Sequence, residues 1–121
     1  MELVKLVELV HEALDDMKAA DIQIIDIQGK SSMADTIVLA SGTSTRHVKS
    51  LANNVQLRVK EAGEEPLGTE GELEGEWVLV DLNDVIVHIM LPEVRDFYKL
   101  EKIWERPEKL EKVSTAVSKE A

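Results

Sequence analysis

The stretch that decides the fold is WVLVDLNDVIVHIM, residues 77–90. It consists of two apolar segments joined at Asn83 and Asp84, residue types that tolerate the positive φ of a two-residue hairpin loop. With that loop Leu82 lies opposite Val85, and the aliphatic residues share one face that must be core. A slip of one residue would exchange the faces. The second face would carry Trp77, Leu79, Asp81, Ile86, His88 and Met90.

The segments before the hairpin alternate between helical and extended patterns. They predict a helix over residues 2–18, strands over 21–27 and 35–42, and a helix from an N-cap at Thr43 or Ser44 to about Ala62. The segment 64–76 is rich in turn residues, with at most a short edge strand around Pro66 to Thr69. The hairpin must be antiparallel, whereas the pairing of the first two strands is left open. The order of the elements predicts an α/β or α+β fold, in which helices pack on a mixed β-sheet.

Pro92 suits the first turn of a last helix, which Pro107 would end. The apolar stripe predicted for that helix is Val94, Phe97, Leu100 and Trp104. We therefore expect a single domain over residues 1–106, followed by a charged tail or frayed helix over 107–121.

Composition restricts the class of protein. The chain has 121 residues, a formal net charge of −10 and no cysteine, so disulfides and thiolate metal sites are excluded. No apolar run approaches the roughly 18 residues of a membrane span, and the N-terminus lacks the layout of a signal peptide. We expect a cytoplasmic protein without a membrane association. An acidic chain favours basic partners.

The charges are also segregated along the chain. Residues 61–76 contain seven glutamates and no lysine or arginine, whereas residues 43–60 contain four basic residues and no acid. Each run is either a surface that faces solvent or a surface that contacts a partner. The acidic run would steer towards a basic protein, and the basic helix, through Arg46 and Lys49, would touch RNA phosphate.

The residue patterns give little support to catalysis. His11, His47 and His88 fall on three different predicted elements, without a spacing typical of metal ligands. A strand that ends in Ser41-Gly42-Thr43-Ser44 before a helix resembles a nucleotidyltransferase scaffold, but the catalytic carboxylate pair is missing from residues 43–60. We therefore predict no enzyme activity, no cofactor and no metal, with a nucleotide-binding or nucleotidyl-transfer enzyme as the alternative.

Two long stretches resemble the ribosomal silencing factor family RsfS, also called Iojap-like. They are ALDDMKAADIQIIDIQGKSSMADTIVLASGTSTRHVKSLANNV and EGEWVLVDLNDVIVHIMLPEVRDFYKLEKIW, which together run from roughly Ala13 to Trp104. The resemblance implies a non-enzymatic α/β domain shaped like nucleotidyltransferases. It also implies binding to the large ribosomal subunit through its universal protein number fourteen, which blocks subunit joining and represses translation, and it implies that a homodimer can form.

The predicted partner-binding residues lie on the second hairpin face and on the helix after it: Trp77, Leu79, Asp81, His88, Met90, Arg95 and Tyr98. Two interpretations of that face stay open. Either a helix covers it and these residues are packing, or it forms or supports a docking surface with an aromatic anchor. A minor contact with ribosomal RNA is a further partner prediction, and a direct RNA-binding assembly factor is a further alternative function.

Overall fold

The hairpin has the register that the sequence predicts. In a computed structural model that describes residues 1–28 and 34–99, Trp77 pairs with Met90, Leu79 with His88 and Asp81 with Ile86. Asn83 has φ +76°, and the Leu82 amide donates to the Val85 carbonyl at 2.9 Å, which closes the two-residue loop. The aliphatic residues therefore share one face of the hairpin, as expected.

The described elements follow the predicted order. They are α1 (Leu3–Asp16), β1 (Ala20–Asp26), β2 (Thr36–Ser41), α2 (Thr45–Glu61), β3 (Gly68–Glu70), β4 (Trp77–Asp81), β5 (Val85–Met90) and α3 (Pro92–Tyr98). The N-cap of α2 is Ser44, whose side chain accepts from the His47 amide at 3.1 Å. The short edge strand exists as β3, which pairs with β4.

The sheet is mixed, with the strand order β1-β2-β5-β4-β3. The β2 strand pairs antiparallel with β1 and parallel with β5, and the remaining pairs are antiparallel. All six residues of β2 and all six of β5 are buried. Both strands are therefore covered on their two faces, which is typical of parallel strands in the interior of a sheet.

Helices α1 and α2 cover the aliphatic face. From α2, the fully buried Val48, Leu51 and Val55 pack against hairpin residues such as Val80 and Val87. The two helices are joined at their surface by Arg58, whose guanidinium lies 2.7 Å from Asp16 and 3.5 Å from Glu12. Of the two core clusters formed by the described residues, the larger lies on this side of the sheet.

A smaller core lies on the second face, under α3. It contains Ile27, Ala34, Ile37, Leu39, Ile86 and Met90. The half-buried Val94 and Tyr98 of α3 pack on it, together with Trp77 and Leu79. The helix has only seven residues, so it covers part of this face and leaves part of it accessible.

Two expectations for α3 were wrong. The helix ends at Tyr98, where Lys99 adopts a left-handed φ of +49°, so the helix that the apolar stripe predicts is interrupted there. Phe97, predicted on the inner stripe, is 79% exposed. The side of α3 that faces the sheet carries the buried Arg95 and the half-buried Val94 and Tyr98, so Phe97 falls on the outer side of the helix. Leu100, Trp104 and the predicted tail over 107–121 lie outside the described residues.

The turn between β3 and β4 requires glycine at Gly71. Its φ is +86°, and a Cβ at this position would lie 2.0 Å from the Trp77 carbonyl oxygen. The Gly71 carbonyl in turn accepts from the Gly75 amide at 3.0 Å. This turn is thus closed against the start of β4 and fixes where the chain enters the hairpin.

We expect Gly71→Ala to destabilise the fold more than Gly63→Ala. Gly63 has a similar φ of +89°, but an added Cβ would meet nothing within 4 Å. Alanine at position 63 should therefore cost only the left-handed strain of about 1–2 kcal/mol. At position 71 the clash with backbone should add about 1–3 kcal/mol. Urea unfolding measures both, and equal losses would show that the turn can shift freely.

Candidate functional site: an aromatic groove with an acidic rim

The accessible part of the second face forms a groove of about 640 Å³. Its apolar lining, from β4 and α3, is Trp77, Leu79, Val94, Phe97 and Tyr98. Its rim carries four carboxylates, Glu70, Glu74, Glu76 and Glu93. We call this feature the aromatic groove. An apolar floor with aromatic side chains inside a polar rim is the usual composition of a protein-binding surface.

A partly buried hydrogen bond connects the groove to the core. The Trp77 indole Nε1 donates to Nδ1 of His88 at 2.9 Å, across the strand pair β4–β5. Nδ1 can accept only in a neutral imidazole, so the ring proton is on Nε2. Burial lowers the pKa of His88 to about 4, which keeps the ring neutral near pH 7. Because the indole N–H bonds inside the protein, a partner would contact the Trp77 ring through its carbon surface.

The aromatic rings extend from this hydrogen bond to the surface. The Trp77 and Tyr98 centroids are 5.0 Å apart, and the ring planes are tilted by 50°. Tyr98 meets Phe97 edge-on, with centroids again 5.0 Å apart. These distances and tilts are in the favourable range for aromatic pairs, each worth about 0.5–1.5 kcal/mol beyond the buried area. The exposed Phe97 ring is therefore held by packing on one side only.

The structure divides the predicted partner-binding residues into four groups, of which the last is Arg95 alone. Trp77, Leu79 and Tyr98 are half-buried and line the groove. His88 and Met90 are buried in the sheet beneath it. Asp81 is half-buried, and its Oδ1 accepts from the Asn83 amide at 2.9 Å, so this carboxylate caps the hairpin loop.

Arg95 lies on the side of α3 that faces β1 and β2. It is buried, and its Nη1 donates to the Asp21 carbonyl at 2.6 Å and to Ser41 Oγ at 3.1 Å. Its Nη2 donates to Gln23 Oε1 at 3.3 Å. Arg95 thus attaches the short α3 to the sheet. It thereby fixes the position of the groove residues Val94, Phe97 and Tyr98, which are on the same helix.

Sequence reasoning missed three contributors to the groove and its surroundings. Val94 and Phe97 were predicted only as part of the apolar stripe of the last helix, and Glu93 was not singled out, but all three line the groove. Leu73, at the turn, is 92% exposed. The sequence did contain an indication of their role, because these residues lie close to the acidic run 61–76 or follow the hairpin that carries Trp77. The exposure of a side chain on a short helix depends on what covers it, which the local pattern does not contain.

A second, polar cavity of about 490 Å³ lies between β1, the end of β2 and α3. Asp21, Gln23, Ser41, Arg95 and Asp96 contribute to its walls. Within residues 1–28 and 34–99 there is no cluster of three or more His, Cys, Asp or Glu that could hold a metal ion. In the same part of the chain, no helix is long and apolar enough to cross a bilayer.

Comparisons with known proteins agree with this fold and with the earlier resemblance. The family model described as "Ribosomal silencing factor during starvation" matches residues 1–121. The chain belongs to this ribosomal silencing factor family. The predicted family is therefore confirmed.

Related proteins from other organisms are similar to this chain over most of its length. A ribosomal silencing factor of Chromobacterium violaceum is 48% identical over 104 residues, which is 86% of this chain and 85% of that protein. The Haemophilus influenzae factor is 44% identical over 99 residues, covering 82% of this chain and 97% of that protein. The mouse protein named "Mitochondrial assembly of ribosomal large subunit protein 1" is 31% identical, covering 81% of this chain and 44% of that protein.

Solved structures show the same architecture. A crystal structure of a Chromobacterium violaceum protein matches with a TM-score of 0.85 at 48% identity, covering 87% of this chain and 88% of that chain. A Bacillus halodurans crystal structure matches with a TM-score of 0.76 at 34% identity, covering 84% of this chain and 94% of that chain. The mixed sheet with packed helices is thus the fold of this family.

The pKa of His88 leads to a prediction about acid stability. The unfolded chain takes up this proton near pH 6.5, while the folded chain takes it up only near pH 4. Protons therefore favour unfolding as the pH falls below about 6.5, and the loss stops below about 4. From the shift, His88 alone should remove about 2 kcal/mol of stability between pH 7 and pH 5.

The measurement is urea unfolding of the natural chain and of His88→Gln at several pH values. Glutamine does not titrate, and its Oε1 can still accept from the Trp77 indole. All carboxylates are common to both proteins, so the difference between the two profiles isolates His88. Parallel profiles between pH 7 and pH 5 would contradict a buried neutral imidazole.

Proposed function

We propose that this chain binds the large ribosomal subunit through the universal large-subunit protein number fourteen, and that the bound chain blocks joining of the small subunit. Translation is thereby repressed in the cytoplasm by steric occlusion, without catalysis. The observation that carries the proposal is the aromatic groove with its acidic rim, in a chain of the ribosomal silencing factor family. The particular partner and the blocking of joining rest on the family resemblance.

The apolar part of the groove fits the centre of a protein interface. Binding energy at interfaces is concentrated in a few aromatic anchors that a partner can enclose completely. Trp77 and Tyr98 offer half-buried rings, and Phe97 offers a ring that is 79% exposed. The side chains beneath them are fixed by the Trp77–His88 hydrogen bond and by Arg95. Fixed anchors lose little conformational entropy on binding.

The rim supports a basic partner. Glu70, Glu74, Glu76 and Glu93 surround the groove, and the whole chain has a formal net charge of −10. Opposite charge on the partner would speed the encounter and fix its orientation. Ribosomal proteins are mostly basic because they are embedded in RNA phosphate. The charge of the rim therefore matches such a protein.

Steric occlusion predicts a definite dose dependence. Added to isolated large subunits before small subunits, the chain should prevent joining once it is about equal in amount to the large subunits. Added to joined ribosomes, it should do little, because the contact surface is covered. Sucrose-gradient sedimentation measures both the binding and the joined fraction. The family resemblance also implies a homodimer, so the mass of the free chain should be measured in the same preparations.

A strongly substoichiometric effect that grows with time would contradict occlusion and would favour the enzyme alternative. Failure of the chain to sediment with large subunits would contradict the proposed partner. The control is a large subunit already saturated with the chain, on which further addition should have no effect.

Phe97→Ala tests the groove with little risk to the fold. The ring is 79% exposed, so its removal should cost little more than the ring contact with Tyr98, about 1 kcal/mol, and the variant should stay folded under the conditions of the binding assay. As an interface anchor it should contribute about 2 kcal/mol, and binding to large subunits should weaken about thirtyfold. Leu57→Ala is the matched control, because Leu57 is 50% exposed on α2, across the sheet from the groove. Equal affinities of the two variants would place docking elsewhere.

A further inference from the structure

A stripe of cationic and amide side chains runs along α2, away from its buried face. Its members are Arg46, Lys49, Asn53, Gln56 and Lys60. At 100° per residue they fall within an arc about 80° wide, and the stripe is about 21 Å long. We call it the basic stripe. It contains no acid, although the chain has 24 acidic residues and 14 basic ones.

The cations of the basic stripe are available for an external contact. Arg46, Lys49 and Lys60 are exposed, and none of them makes an ion pair with any of the described residues. Arg58 on the same helix differs, because it is oriented towards α1 and pairs with Asp16 at 2.7 Å. Arg58 is thus paired within the chain, at the surface between α1 and α2, while the other three cations face solvent.

The N-terminal end of the basic stripe contacts the turn between β3 and β4, which carries Glu74 and Glu76. Gly75 packs against α2 so closely that an added Cβ would lie 2.7 Å from Cε of Lys49 and 2.9 Å from the Thr45 carbonyl oxygen. Glu74 and Glu76, on either side of Gly75, belong to the rim of the aromatic groove. A negative surface and a positive surface therefore share a border at Gly75. The screening length at physiological salt is about 8 Å, so a partner at this border responds to local charge rather than to the net charge.

We propose that the N-terminal end of the basic stripe, Arg46 and Lys49, binds phosphates of ribosomal RNA beside the protein that occupies the aromatic groove. A basic protein set in RNA presents positive charge next to phosphate, which is the complement of the border at Gly75. The inference rests on the proposed ribosomal function and extends it to a second contact of a different chemistry. The contact reads phosphate and carries no sequence specificity.

The test compares two double variants of the full chain with equal charge changes. Arg46→Gln with Lys49→Gln alters the near end of the basic stripe. Lys5→Gln with Lys18→Gln alters exposed cations outside α2. Affinity is measured at several salt concentrations, first for purified large subunits and then for the isolated universal protein number fourteen. Circular dichroism confirms that each variant is folded.

For large subunits we expect the Arg46/Lys49 variant to bind at least several-fold more weakly at low salt. Its slope of log affinity against log salt should be smaller by about 1–2, since each lost phosphate contact removes about 0.7–0.9. Binding to the isolated protein should be unchanged, and the Lys5/Lys18 variant should behave like the natural chain in both assays.

An unchanged affinity and salt slope on large subunits would overturn the inference. Equal weakening on the isolated protein would also overturn it, because the stripe would then contact protein and not RNA. Both results leave the proposed function intact. If the natural chain itself fails to bind large subunits, the proposed function fails first, and that result is recognised before any variant is compared.

Discussion

The register of the β4–β5 hairpin is the constraint on which the rest of the structure depends. The two-residue loop at Asn83 and Asp84 places every residue of β4 opposite a defined residue of β5. Because side chains alternate between the faces, one register gives an entirely aliphatic face and a second face with Trp77 and His88. The first face accepts α1 and α2. Among the described elements the second face carries α3, and the groove lies between this helix and β4.

The Trp77–His88 hydrogen bond gives the groove its defined shape. A tryptophan on a partly exposed face would otherwise have several rotamers and an N–H that requires water. Here the indole N–H donates at 2.9 Å to the imidazole of His88, which burial keeps neutral. Tyr98 and Phe97 then pack outward from a fixed indole. Arg95 secures the other side of α3, so the helix that carries both rings is attached to the sheet at two places.

Charge separation gives the molecule two surfaces of opposite sign that meet at Gly75. The glutamates of the rim and the cations of the basic stripe are brought together by the packing of the β3–β4 turn on α2. The formal net charge of −10 for the whole chain does not show that the two surfaces have opposite signs. This separation is what the proposed contact with both a basic protein and RNA phosphate would use, because a surface of one sign would be repelled by one of the two.

The sequence by itself determined the features that depend on neighbouring residues. The hairpin loop, the alternation of its faces, an N-cap at Thr43 or Ser44 and the order of the elements each follow from a few adjacent side chains. The structure then selects Ser44 as the cap. The family could also be named, because its motifs cover most of the chain.

Only the tertiary structure decided the parallel pairing of β2 with β5, the end of α3 at Tyr98, the exposure of Phe97 and the burial of Arg95. Each of these depends on a contact between segments far apart in the chain. Arg95, for example, reaches Asp21 and Ser41. No local pattern of polar and apolar residues contains such contacts, because their free energy arises only after the sheet has assembled.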